Sequence, residues 1–291
     1  MRHVLTRFRP LLRTSLSAAG LVLLGSFAAI ASIDNVRANS FASQDARLSE
    51  LPSEDLEDLL VFVGGNALFA AYHEAGHMLV SELSIPVLGQ EEDAVDNLAT
   101  LSMLAADNDE TDLLLINAMI GWFLVASFGS EDLIFYGEHD LDEQRGYRIL
   151  CLMVGADEDA FLDLARDLDL PEERIEACAF DYEQTADSWE AVTNPYLREG
   201  DTPAGRIKVV HDAAPSGLES VALFLREAEI LEQVADELDT FYNLPEPVTF
   251  RASSCGVENA FWDPDTREVI LCHEFLGGLA ELYLADLTFD N

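Results

Sequence analysis

Apolar residues dominate the chain from residue 53 to residue 129, broken by short polar or glycine-bearing punctuation. Ser53-Glu54-Asp55 reads as the start of a helix, with a capping serine and acids in the first turn. Gly64-Gly65 reads as a break. A second apolar helix is then expected over about 66–83. Ser84-Ile85-Pro86-Val87-Leu88-Gly89 carries the proline and glycine of a reversal, and a third helix follows from Glu91 to about Ala106. Leu113 to Gly129 is nearly uncharged. It is short for a membrane span and contains Asn117 and Gly121, so a buried core helix is expected. Asp140-Leu141-Asp142-Glu143 reads as a capping box, and Pro171-Glu172-Glu173 as the proline and acids of a first helical turn.

Beyond Asn194–Gly205, rich in proline and glycine, the texture changes. Ile207-Lys208-Val209-Val210 and Val248-Thr249-Phe250 read as short strands. Ser216-Gly217-Leu218-Glu219 opens one long helix to about Tyr242. Phe261-Trp262 and Val269-Ile270-Leu271, joined by Asp263-Pro264-Asp265-Thr266, read as a hairpin, and a helix over 274–285 follows. The expected fold is α+β: helix-rich, with a small antiparallel sheet or hairpin. One domain is expected over 53–285, in a helical part (53–193) and a strand-containing part (206–285).

Composition adds the compartment and removes some partners. Of 291 residues, 49% are hydrophobic, which a folded domain requires, yet 55 acids face 16 basic residues for a formal charge of −39. That field repels nucleic acid and anionic lipid surfaces. It fits a saline habitat, where screening relieves self-repulsion. Residues 1–38 have the shape of a secretory signal: Arg2, Arg7, Arg9 and Arg13 precede an apolar run from Leu16 to Ile33, with small-residue cleavage sites after it. A membrane enters only if that segment stays uncleaved. Residues 39–52 read as a polar leader. Export to the periplasm or beyond gives Cys151, Cys178, Cys255 and Cys272 a meaning. Two disulfides are expected, and of the three pairings the local ones, Cys151–Cys178 and Cys255–Cys272, are preferred.

The chemistry concentrates in His73-Glu74-Ala75-Gly76-His77. Two histidines four apart share one helix face and can reach one metal ion, with a glutamate beside them placed to act on a water. Fifteen residues on, Glu92 and Asp96 are again four apart. Glu92 suits a third ligand, and Asp96 could accept the free ring N–H of a ligand histidine. No such partner is apparent for His211. His273-Glu274-Phe275-Leu276-Gly277 lacks the second histidine of a metal motif, so both histidines read as structural.

These segments, with Glu138-His139-x-Leu141-Asp142-Glu143-Gln144-Arg145 and Asn259-Ala260-Phe261-Trp262-Asp263-Pro264, resemble a bacterial family of exported proteins designated metallopeptidases (domain of unknown function 4344). The resemblance spans most of residues 60–285. It implies a zincin fold of the gluzincin type, with His73, His77 and Glu92 as zinc ligands, Glu74 as catalytic base and Asp96 behind the ligands. Looser likenesses point to neprilysin-like peptidases. They would make His139 an oxyanion stabiliser, Arg145 the grip on a substrate carbonyl, and Asn259 and Ala260 part of the substrate-binding strand. That strand precedes the metal helix in such enzymes and follows it here, which implies a circularly permuted connection.

The expected activity is zinc-dependent hydrolysis of peptide bonds in a peptide or protein substrate. The alternatives are a non-catalytic exported zinc-binding protein, whose site would be closed by a fourth protein ligand, and a zinc amidase acting on cell-wall peptides.

Overall fold

The computed structural model describes residues 47–128, 137–215 and 217–289. The expected signal segment, the first part of the leader and Gly129 lie outside them. Within the expected leader, residues 47–50 are helical, and Arg47 pairs with Glu281 at 2.5 Å.

The chain is built around one helix. Helix α1 runs unbroken from Ser53 to Leu83, and Phe62, Ala67, Leu68, Ala71, Ala75, Met78 and Leu79 are buried around most of its circumference. A helix apolar on all sides belongs in a core, and the surrounding elements pack on it there. Two expectations change. Ser53 is the first helical residue and not the cap, and Gly64-Gly65 does not interrupt the helix. A Cβ on Gly65 would lie 2.2 Å from the carbonyl oxygen of Leu114, so glycine serves the close crossing of another helix.

That crossing helix is α3 (Asp109–Phe128). Helix α2 (Glu91–Leu104) lies before it, and α4 (Asp142–Ala156), α5 (Glu158–Asp167) and α6 (Glu172–Thr193) follow. Helix α3 is long and apolar enough to cross a membrane by length and composition. In this fold Leu115, Met119, Ile120 and Phe123 are fully buried, and the helix packs between α1 and α4. Gln144 Oε1 accepts the N–H of Leu141 at the start of α4. The Cys151–Cys178 disulfide ties α4 to α6.

The second part contributes β1 (Ile207–His211), α7 (Glu219–Glu227), α8 (Ile230–Phe241), β2 (Val248–Ser253), β3 (Ala260–Asp263), β4 (Glu268–Cys272) and α9 (His273–Phe289). The single helix expected to reach Tyr242 is two helices. Glu229 takes a left-handed φ of 52°, and the turn lets both apolar faces, Phe224 and Leu225 before it and Leu231 and Val234 after it, enter the core.

The four strands form one sheet in the order β1-β2-β4-β3. Only the expected hairpin, β3 with β4, is antiparallel; β1 with β2 and β2 with β4 are parallel. The expected antiparallel sheet is therefore corrected to a mixed one. The reason lies in the connections: α7 and α8 cross over between β1 and β2, and a crossover returns the chain in the same direction. Strand β3 is left on the edge, and β3, β4 and α9 pack on α1. One continuous apolar core joins the helical and strand-bearing parts. The second disulfide, Cys255–Cys272, closes the loop that contains β3, so both preferred pairings are formed. Two disulfides fit an oxidising compartment.

Candidate metal centre

The site lies where α1 and α2 meet. His73 and His77 present their rings from one face of α1. Helix α2 comes close because residue 76 is glycine: a Cβ there would lie 2.8 Å from the Cβ of Val95. That approach puts Glu92, in the first turn of α2, against both rings. Its Oε2 lies 3.2 Å from His73 Nε2 and 3.3 Å from His77 Nε2. Ligand atoms of His73, His77 and Glu92 all fall within 4.8 Å of one another, a group able to hold a metal ion.

Both Nδ1 atoms are already engaged. His73 Nδ1 is 2.7 Å from Asp96 Oδ1, and His77 Nδ1 is 2.8 Å from Glu91 Oε1. A carboxylate behind each ring fixes its orientation and leaves Nε2 facing the group's centre. Glu91 was not anticipated. In the run Glu91-Glu92-Asp93 three adjacent acids look alike in sequence, and only the pitch of α2 separates ligand from orienter.

Asp96 is held in turn. Arg145 Nε donates to its Oδ2 and Nη2 to its Oδ1, each at 2.7 Å, and the guanidinium lies 3.4 Å from the ring centroid of Trp122. Arg145 and Asp96 are both buried. Arg145, expected at a substrate carbonyl, thus directs two of its three nitrogens at Asp96. Trp122, read only as part of a core helix, covers the pair.

These contacts set the charges. Burial by itself would lower the pKa of His73, but hydrogen bonds to Asp96 and Glu92 outweigh it and hold it up at about 9. His77 moves the same way for the same reasons, with Glu92 and Glu91 as its partners. For Glu92 burial would raise the pKa, but His139, His73 and His77 hold it well below the usual carboxylate range. Glu74 differs: burial dominates, and its pKa is raised.

Glu74 also touches the sheet. Its Oε2 accepts the backbone N–H of Trp262 at 2.9 Å, across 188 residues of sequence. The outer edge of β3 therefore faces α1 at Glu74. Since amides along an antiparallel strand alternate in direction, Ala260 shares this outward edge with Trp262. A backbone donor carries no mark in the sequence, so this contact could not have been read there. His139 Nε2 reaches Glu92 Oε2 at 2.8 Å from the half-exposed segment before α4, and its ring stacks on that of His73. A cavity of about 170 Å³ has His73, Glu74, His139, Arg145, Asn259 and Ala260 among its walls. The fold thus brings His73, Glu74, His139, Arg145, Asn259 and Ala260 around one hollow, while His77, Glu92 and Asp96 meet His73 outside its walls. His211 and His273 lie elsewhere, His211 against Glu232 and His273 against Ser254.

A family model described as "Putative metallopeptidase" (domain of unknown function 4344) matches residues 34–192 and 211–289, most of the chain. The chain belongs to this family. The group able to hold a metal ion and the cavity beside it lie inside the matched residues. No curated protein and no solved structure matched the chain.

Proposed function

We propose that this protein is an exported zinc peptidase of the gluzincin type, with His73, His77 and Glu92 as the metal ligands and Glu74 as the general base. The observation that carries this reading is the convergence of both Nε2 atoms on Glu92, with both Nδ1 atoms held by carboxylates. Ligand atoms about 2.0–2.1 Å from a tetrahedral zinc lie roughly 3.3 Å apart. The separations of 3.2 and 3.3 Å around Glu92 Oε2 match that spacing. Among the described residues the group has three members, the number that catalytic zinc sites use.

Zinc bound there would supply a Lewis acid and make a water acidic enough to lose its proton near pH 7. Glu74, with its pKa raised by burial, would take a proton from the attacking water and pass it to the leaving amine. The amide of Trp262 fixes the Glu74 carboxylate through Oε2, so its other oxygen is the one available to the water. His139 and Arg145 both line the cavity and would serve as donors toward the developing oxyanion. The outward edge of β3 at Ala260 offers backbone groups to an extended peptide, while the Asn259 carbonyl faces β4 and accepts the N–H of Cys272. Strand β3 lies beside α1 although it follows α1 by some 180 residues, which supports a permuted connection of the gluzincin layout. The disulfides and the N-terminal segment support a periplasmic or secreted location, and a field of −39 disfavours nucleic acid as a partner. The Glu74→Gln variant tests the assignment. It is expected to bind zinc like the wild type and to lose peptide hydrolysis; undiminished hydrolysis would overturn Glu74 as the base.

A further inference from the structure

The cavity beside Glu74 continues away from the metal ligands along α1. Asn66, Phe69, Ala70, His73 and Glu74 all line it, and their spacing of three and four residues makes them one stripe of the helix. His77 and Glu92 are not among its walls, so the hollow extends from Glu74 toward the start of α1. Its sides are apolar: Phe69, Trp122, Val125, Phe275 and Leu279. At its far end is a polar group with a fixed orientation. Asn66 Nδ2 donates to the carbonyls of Phe62 and Asn117 at 2.9 and 3.0 Å, which turns Oδ1 away from both as an acceptor.

We propose that this hollow is the specificity pocket, and that it takes the side chain of tyrosine, or of another ring bearing a donor at its tip, with Asn66 Oδ1 accepting that donor. The proposal rests on the peptidase reading for the position of the scissile bond. Two magnitudes support the occupant. An engineered apolar cavity of about 150 Å³ admits benzene, so the 170 Å³ here holds one aromatic ring. Asn66 precedes His73 by seven residues, which at a rise of about 1.5 Å per residue puts it roughly 10 Å along the helix, the reach of a long aromatic side chain plus its hydrogen bond. Glu74 bounds the pocket and hands its proton to the leaving amine. The residue in the pocket is therefore the one that follows the cleaved bond.

The test is digestion of a quenched-peptide library by the zinc-loaded protein, with products read by mass spectrometry. It is paired with NMR titration of the protein with N-acetyl-tyrosine amide, N-acetyl-phenylalanine amide and N-acetyl-alanine amide. Tyrosine after the cleaved bond is expected to exceed phenylalanine by about fivefold, the worth of one neutral hydrogen bond. Both should exceed alanine by about tenfold or more. Asn66→Leu should cancel the advantage of tyrosine over phenylalanine. Val125→Phe, which narrows the hollow from the opposite wall, should shift the preference to small residues even if Asn66→Leu does not fold. Cleavage without these preferences, or with the preference on the preceding residue, would overturn the pocket and leave the peptidase reading standing. No cleavage, with tyrosine amide bound more tightly than phenylalanine amide and blocked by Val125→Phe, would keep the pocket and overturn the peptidase reading. Equal binding of the three amides without cleavage would overturn both.

Discussion

At the scale of single residues, the centre works because each charged group is held by another. Asp96 is the hinge of this arrangement, accepting from His73 on one side and from Arg145 on the other. Removing one partner of a buried ion pair leaves the other uncompensated, at a cost of about 3–5 kcal/mol. Arg145→Met should therefore lower unfolding stability by that amount in denaturant titration, and Asp96→Ala should weaken zinc affinity about 10–100-fold, as loss of a ligand's orienter does. The histidines add a dependence on pH. In the metal-free protein the pKa of His73 is raised to about 9, so its protonated form contributes stability that is complete below the unfolded value of about 6.5. That contribution is lost as pH rises toward 9. Zinc competes with the same proton, so its affinity should climb over the same interval. Thermal melts of chelated protein and zinc titrations at pH 6 to 9 should show these opposite slopes; parallel slopes would contradict the pairing of His73 with Asp96 and Glu92. Much of this was legible in sequence, because helical pitch alone pairs His73 with His77 and Glu92 with Asp96, and the proline and glycine of residues 84–89 turn one pair back on the other. Glu91 was not, being one of three adjacent acids, and the place of Arg145 depends on α4 meeting α2.

Among the elements, the helices were readable from apolar spacing and capping residues, and the departures have steric causes. Gly64-Gly65 looks like a break in any one-dimensional reading, yet the chain stays helical because α3 needs the room. Gly65→Ala should accordingly cost about 1–3 kcal/mol through overpacking against the Leu114 carbonyl, measured as a lower denaturation midpoint. A gain in stability, the usual result of replacing glycine in a helix, would show that the crossing is looser than described. The direction of the strands was not readable either. Short β runs give their alternation but not their neighbours, and the parallel pairs depend on how α7 and α8 fold back. Strand β3 is the most consequential case: it was recognised through Asn259-Ala260-Phe261-Trp262, but only the sheet order makes it an edge, and only the fold brings its amide to Glu74.

Over the whole molecule, α1 organises everything: the core surrounds it, the sheet edge lies along it, and two of the three proposed metal ligands, His73 and His77, project from it. The surface carries the remaining signal. With a formal charge of −39, self-repulsion opposes compaction and falls as salt screens it. The melting temperature should rise as NaCl goes from low to marine levels, and a flat or falling curve would show that the charge is not an adaptation to salt. The assignment of the centre itself is tested most directly by titrating chelated protein with zinc while following both bound metal and peptide-bond hydrolysis. Hydrolysis should return in proportion to bound zinc and level off at one ion per chain, with Glu74→Gln binding the same ion and cleaving nothing. Hydrolysis that persists without metal, or full zinc occupancy with no cleavage of any library peptide, would contradict it.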